Sequence, residues 1–363
     1  AQTLNHIASQ LEGLEDSTID LIEMNAKNFN SIVKSLDSLN KQIFNTSVKG
    51  LTPNDLLDER DLMLKKLSGI TEFEASFDKF NRVEIKVGGK GVLTNEGVKF
   101  EMSMVTEVNG TTVSVSRGGD SQEPDITFTA VTGSYEVGQI ILNEKDVPFT
   151  DIDGAFKFEP TSGQIAGYQE ALEEIKEQIT ELDELAKTFA EAINKAHKDG
   201  AGTPPIDFFT DDEGSADITG ITAANIKVNQ QIQDDNSKVN AGTGENPPEG
   251  DGSLALAIAG VRDNKYVYEG GTVEENSAGN TIEDTYINMV TNIGISKQQS
   301  DNMVSNQELL LNQLVMRRES TSGVNIDEEV TNLIKFQKSF DANARVIQVL
   351  SEMLDTLINR TGV

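Results

Sequence analysis

QIAGYQEALEEIKEQITELDELAKTFAEAINKAH, residues 164–197, is the stretch on which the fold turns. Its apolar residues Tyr168, Leu172, Ile175, Ile179, Leu182, Ala186, Phe189, Ile193 and Ala196 follow one another at steps of four and three. That is the heptad rhythm of a helix burying one seam against other helices. On the opposite side, residues 170–184 carry seven acids against one lysine, which reads as a solvated face and not as a metal cage.

The same rhythm returns at both extremities of the chain. Residues 1–45 contain no proline and place Leu4, Ile7, Leu11, Leu14, Leu21, Ile32, Leu36, Leu39 and Ile43 along a seam. Between Leu21 and Ile32 that seam is expected to run through Asn25 and Asn28, polar positions that weaken packing but fix register. A helix of this span is about 65 Å long. No capping residue precedes it at Ala1, from which we expect the natural chain to begin upstream. Further along, Thr52 suits an N-cap, Pro53 a first helical turn and Asp55 the positive end of the dipole, while Lys65, Lys66 and Gly69 suit the end of a helix over about 53–68. Near the C-terminus, one helix is predicted over about 281–319, with Tyr286, Met289, Ile293, Met303, Leu310 and Leu314 on a face interrupted by Ser296, Ser300 and Gln307. Another follows over about 326–359, with Val330, Leu333, Gln337, Phe340, Ala344, Ile347, Leu354 and Ile358 on its face and Asn325 with Glu328 as a capping pair.

Between the first helices and the decisive stretch the period changes to two. Val83, Ile85 and Val87, then Phe100, Met102 and Met104, then Ile126, Phe128 and Ala130 alternate with polar residues, and Gly88-Gly89, Asn109-Gly110, Gly118-Gly119 and Asp153-Gly154 punctuate them as turns. Residues 200–280 carry only short signals: Pro204-Pro205, an apolar Ile206-Asp207-Phe208-Phe209, a partly alternating run ending in Ala224, Ile226 and Val228, the flexible AGTGENPPEGDG, and a short helix in LALAIAGVRD. We therefore expect an α+β multidomain chain, an elongated bundle of long helices drawn from both ends with β structure protruding from it. Its parts are helical bundle at 1–69, an inserted antiparallel β domain at 70–162, a bundle helix at 163–200, a small irregular subdomain with an acidic loop at 201–280, and bundle again at 281–363, including a terminal axial helix.

The composition narrows the function. Sixty acids against 30 bases among 363 residues give a formal charge of −30, which repels phosphate backbones and anionic headgroups, and no basic patch offsets it. Nucleic acid and membrane insertion are thus excluded as first readings; no run approaches the ~20 apolar residues of a span. AQTLNHIASQLEGLE at the start lacks the basic and apolar regions of a cleavable signal. Absence of cysteine removes disulfides, thiolate nucleophiles and cysteine-ligated metals. Catalytic constellations are absent too: there is no H-E-x-x-H, G-x-x-x-x-G-K-[ST] or G-x-S-x-G. Gly88-Gly89-Lys90-Gly91 reads as a hairpin turn, and Asp211-Asp212-Glu213 and Asp151-Ile152-Asp153-Gly154 fall short of a calcium loop. The two histidines, His6 beside a helical seam and His197 at a helix end, form neither a metal site nor a dyad. We nominate no catalytic, cofactor-binding or metal-ligating residue, and read the chain as non-enzymatic.

Two longer motifs carry a family resemblance. Pro53-Asn54-Asp55-Leu56-Leu57-Asp58-Glu59-Arg60-Asp61 resembles the P-N-D-L-L-D-x-R-D signature of the flagellar hook-associated protein 1 family, the first hook–filament junction proteins. Arg318-Glu319-Ser320-Thr321-Ser322-Gly323-Val324-Asn325-Ile326-Asp327-Glu328-Glu329 resembles its R-E-S-x-S-G-V-N-x-D-E-E segment. The ending NLIKFQKSFDANARVIQVLSEMLDTLINR looks like the C-terminal helix of bacterial axial flagellar proteins, and Asn194, His197 and Gly200 match the end of the family's middle helix. The resemblance implies a structural adaptor that is exported unfolded through the flagellum's type III channel and assembles outside the cell. Terminal helices would form the inner wall of a tube and β domains would project outward. Implied partners are the hook protein, the second hook–filament junction protein, further copies in the ring and an export chaperone at the C-terminal helix. A segment ahead of Ala1 carrying export information is implied as well, and the present chain alone is expected to be monomeric. Phe340, Ile347, Leu350, Leu354, Leu357 and Ile358 are the residues expected to contact neighbours or the chaperone. The remaining readings are a second junction protein or flagellin-like axial subunit, and, from another class, a surface adhesin that binds through its β domain.

Overall fold

A computed structural model of the chain describes residues 1–116, 126–130, 135–145, 155–198, 206–215, 217–243, 248–269, 272–323 and 326–359, the last five of these as backbone only. It is an α+β fold with long helices at both ends and antiparallel strands inserted between them. Helix α1 spans Gln2–Ser47 and α2 spans Asn54–Ile70. A four-stranded meander follows, β1 (Glu74–Phe77), β2 (Val83–Val87), β3 (Lys90–Thr94) and β4 (Gly97–Val98), paired in chain order. The second sheet comprises β5 (Phe100–Asn109), β6 (Thr112–Val115), β7 (Ile126–Thr129), β8 (Ile140–Glu144) and β9 (Ala155–Phe158), in the order β7-β6-β5-β8-β9. Helix α3 then covers Gly163–Lys198. After it come β10 (Phe209–Thr210), β11 (Lys227–Val228), α4 (Gln230–Asp234), α5 (Ser253–Gly260), and the hairpin β12 (Tyr266–Glu269) with β13 (Thr272–Glu275). Helices α6 (Ile282–Ser322) and α7 (Ile326–Asn359) complete the chain.

The chain divides into two compact units, Ala1–Met289 and Val290–Val363. In the first, α1 packs along α3 and α2 and lies across β5. One core joins Ile22, Ala26, Phe29, Val33, Leu36 and Ile43 of α1 to Leu67 and Ile70 of α2, Ile165 and Leu172 of α3, and Val83, Ile85, Val87, Met102, Met104, Ile140 and Leu142 of the strands. The sheets therefore share their main core with the helices where protrusion was expected. Strand β5 shows why: Met102, Ser103, Met104 and Val105 are all buried, so both of its faces are covered. Val105 and Ile141 on the far side join Val113, Val115, Phe128, Ala130 and Tyr135 in a separate cluster.

Turn chemistry sets the strand pairing. Val87 faces Lys90 across Gly88 and Gly89, both at positive φ, as a two-residue hairpin of mirror-image type demands. Gly88 is required twice over, since a Cβ there would stand 2.9 Å from the Phe158 ring. In the β5–β6 hairpin only Gly110 needs positive φ. The expected turns at Gly118-Gly119 and Asp153-Gly154 lie outside the described residues.

Helix α1 departs from the expected seam. Leu14 is exposed, as is Asn28, while Thr18, Ile22, Ala26, Phe29 and Val33 are buried. Asn25 is buried too, but its side-chain amide donates to the Leu21 carbonyl of its own helix and so fixes no register. The reason is that α1 packs against two kinds of neighbour, the helices α2 and α3 and the strands, so its buried stripe drifts from a strict heptad. At α2 the residue at the N-cap position is Pro53, with no side-chain cap, and Thr52 lies outside it. The helix continues past Gly69 because Leu67 and Ile70 both enter the core.

Segments after α3 pack on the second half of that helix. Ala190, Ala192 and Ile193 meet Phe209, Ile221, Ile226 and Val261, and Ala8 meets Leu182, Leu185, Ala223 and Met289.

Candidate assembly interface and motif residues

Helix α7 presents the residues expected to contact neighbours. Phe340, Ile347, Leu350 and Leu354 are 72, 67, 53 and 57% exposed, and Leu357 and Ile358 have side chains outside the described residues. Leu333 and Phe336 are open to the same degree. Counted at alternating steps of three and four from Leu333, the positions are Phe336, Phe340, Asn343, Ile347, Leu350 and Leu354, one stripe broken only by an asparagine. Phe336, beyond the residues expected to contact neighbours, belongs to this stripe. Helix α6 carries a broader set of open apolar residues, including Met303, Val304, Leu309, Leu310, Leu311, Leu314 and Met316. Side chains of this size are normally turned inward, and here a run of them is open.

The joint between α6 and α7 is built by the second motif. The Gly323 N–H donates to the Glu319 carbonyl at 2.6 Å, and a Cβ at Gly323 would run into that carbonyl. Glycine here lets α6 end where a side chain could not fit. Asp327, Glu328 and Glu329 then occupy the first turn of α7, where the helix dipole favours negative charge. Arg318 and Glu319 are exposed on the last turns of α6. Asn325, the expected capping partner of Glu328, and the Ser322 side chain lie outside the described residues.

The first motif performs a different task. Leu56 and Leu57 pack against the main core, while Asn54, Asp55 and Asp58 are exposed along the outer side of α2 and Pro53 is half-buried. Arg60 is buried. Its Nη1 donates to the Asn81 carbonyl at 2.7 Å, its Nε and Nη2 both reach Asp61 Oδ1, at 2.9 and 2.7 Å, and its guanidinium lies 4.5 Å from the centre of the Phe77 ring. Asn81 sits at φ 61 in the turn joining β1 to β2, a conformation that asparagine adopts more readily than most residues, and Arg60 fastens its carbonyl there. Asp78 closes the same turn by accepting from the Phe80 and Arg82 N–H groups and from Arg82 Nε. Partial burial pushes its carboxyl up, but these donors and the Arg82 charge outweigh that and leave it below the usual range.

Two joints were not legible as such. Glu72, just past α2, accepts from the N–H and hydroxyl groups of Thr161 and Ser162 at the start of α3. Partial burial raises its carboxyl, the Thr161 and Ser162 donors lower it further, and the net direction is down. At the other end of α3, His197 is fully buried: its Nε2 lies 3.0 Å from the Asn240 N–H and its Nδ1 2.8 Å from the Ile206 carbonyl. A peptide N–H can only donate and a carbonyl only accept, so the proton sits on Nδ1. Asn194 accepts from the Phe208 and Phe209 N–H groups and donates to the Phe209 carbonyl, pinning the same segment. Gly200 lies outside the described residues.

Among the described residues no group of acids and histidines could hold a metal ion, and no helix is long and apolar enough to cross a membrane. The description "Flagellar hook-associated protein FlgK helical domain" matches residues 1–209, well over half of the chain. The chain belongs to the FlgK family. A second description, "Flagellar basal body rod FlgEFG protein C-terminal", matches residues 318–360. Among curated relatives, flagellar hook-associated protein 1 of Bacillus subtilis is 28% identical over 373 positions, covering all of this chain and 70% of the relative. Its counterpart in Escherichia coli is 25% identical over 405 positions, covering 91% of this chain and 69% of the relative. A solved structure of the flagellar hook junction protein FlgK from Burkholderia pseudomallei aligns at a TM-score of 0.42 and 18% identity, over 57% of this chain and 34% of that one. Neither flagellin nor a surface adhesin is favoured by these relatives.

Proposed function

We propose that this member of the FlgK family is a structural subunit of the extracellular flagellum, joining hook to filament by packing its terminal helices against copies of itself and against other axial subunits. The observation that carries this reading is the uncovered apolar stripe of α7 from Leu333 to Leu354, interrupted by Asn343 and by no charge. A stripe of that kind gains free energy only when another surface covers it. The partners that fit are the hook protein on one side and the second junction protein on the other. An export chaperone would cover the same stripe before secretion, since a groove that accepts one amphipathic face accepts it in either setting. Membership in a family named for association with the hook supports this assignment, and the function assigned involves no catalytic step.

The test is immunogold labelling of the full-length protein in flagellated cells, together with electron microscopy of a strain lacking its gene. Label confined to the hook–filament joint and bare hooks in the deletion strain are expected. Label on the cell body, or filaments still attached in the deletion strain, would refute the assignment.

A further inference from the structure

Two asparagines of α1 do something that no apolar contact can. Asn30 donates from Nδ2 to the Met102 carbonyl at 2.7 Å and accepts the Met102 N–H on Oδ1 at 2.8 Å. Asn40 repeats the arrangement on Val83, with both contacts at 2.8 Å. All four residues are buried. A primary amide carries a donor and an acceptor side by side, as a peptide group does, so each side chain stands in for a neighbouring strand. The ladders leave room for them: β6 pairs with β5 only from Val105 onward, and β3 pairs with β2 only from Ile85 onward. Among the described residues, Met102 and Val83 therefore occupy stretches with no strand on that side.

Satisfying an open edge does not require two such residues on one helix, each reaching into a different sheet. Asn40 enters the first sheet and Asn30 the second. Ten residues of helix separate them by about 15 Å along the axis and by roughly 80° around it. A rod held at one point can swivel; held at two points at different azimuths, it can neither slide nor turn. The surrounding apolar stripe of Ile22, Ala26, Phe29, Val33, Leu36 and Ile43 cannot supply that constraint. Its members recur every three or four residues, so a shift of one turn exchanges apolar for apolar, and apolar attraction has no direction. The same shift would strip both peptide groups of Met102 and both of Val83 of their partners in a buried setting.

We infer that Asn30 and Asn40 form a two-point register lock that makes α1 and both sheets one torsionally stiff body. Its use in the flagellum, carrying twist across the joint without slippage between helix and sheets, rests on the function proposed above; the lock itself does not.

The lock is measured on the purified whole chain, and the use is measured in cells. Hydrogen exchange of the Met102 and Val83 amides is followed by NMR in wild type, Asn30→Leu, Asn40→Leu and the Asp variants at the same positions. Leucine should cost each amide at least tenfold in protection. An ionised aspartate keeps an acceptor for the N–H but sets an anionic oxygen against the carbonyl, and that repulsion in a buried setting should open the contact and lower protection too; protection relative to wild type should return in acid, where the carboxyl regains a donor. Since the chain has no cysteine, spin labels on cysteines introduced at exposed Ser38 and Glu107 report register without interference. The Asn30→Leu/Asn40→Leu chain should lose the single narrow label distance of wild type. Unchanged protection in the single variants, or an unchanged label distance in a folded double variant, would overturn the lock. If the double variant does not fold, the single variants and the acid recovery of the aspartates decide. A chain shown to slip that still gives wild-type swimming in viscous medium would leave the lock standing and overturn its flagellar use.

Discussion

Replacing Phe340, Ile347, Leu350 and Leu354 of α7 together by alanine separates a stripe made for partners from one that serves an internal core. These side chains leave 72, 67, 53 and 57% of their surface open. Complete burial of a large apolar side chain is worth ~1.5–3 kcal/mol, so covering these fractions contributes about 1–2 kcal/mol each. The quadruple variant should thus lose roughly 4–8 kcal/mol of assembly free energy, about three to six decades in affinity. The isolated chain should hardly notice, because exposed positions give changes within about 0.5 kcal/mol and alanine favours helix. Association of the purified full-length protein is followed by analytical ultracentrifugation, chain stability by urea denaturation, and the biological consequence by swimming. Lys338→Ala and Arg345→Ala, on the opposite side of the heptad, serve as controls expected to assemble normally. Wild-type assembly by the quadruple variant would refute the reasoning, and so would a loss of more than about 2 kcal/mol in the isolated chain, since the stripe would then be buried internally.

Three further outcomes are expected. Arg60→Met keeps the apolar stem but removes the charged hydrogen bond to the Asn81 carbonyl and the stacking on Phe77, and should cost about 2–3 kcal/mol in urea denaturation; Asp61→Asn, at an exposed partner, should cost under ~1 kcal/mol. The Glu72 carboxyl is held below its ordinary range, so its contribution is present above the unfolded-state pKa and disappears as pH falls through the lower folded value. Glu72→Gln should therefore be less stable than wild type by about 1 kcal/mol at pH 7, with the gap closing below about pH 4 in parallel denaturation curves. His197→Phe retains an aromatic ring beside Phe208 while orphaning the Ile206 carbonyl and the Asn240 N–H, so it should still cost about 2–4 kcal/mol; a cost near zero would show that packing alone matters there.

The boundary between what was legible and what was not follows from the range of each interaction. Heptad spacing in 164–197 and period-two alternation around Val83, Ile85 and Val87 are local patterns, and so are glycine pairs such as Gly88-Gly89; these determined the elements and the α+β class. The apolar spacing of α7 was legible for the same reason at Phe340, Ile347 and Leu354, and the strict heptad adds Phe336. Which residue holds the register of α1 was not legible, because Asn25, Asn28, Asn30 and Asn40 look alike until their neighbours are known. Only tertiary structure brings Met102, 72 residues away, to Asn30, and Val83, 43 residues away, to Asn40. Equally, nothing local distinguishes Arg60 from any exposed helical arginine; what buries it is the β1–β2 turn, which packing places over α2. Local spacing determines where a chain coils or extends, since those hydrogen bonds close within a few residues. The partners of a buried amide or guanidinium are decided by contacts between distant segments, which no period in the sequence encodes.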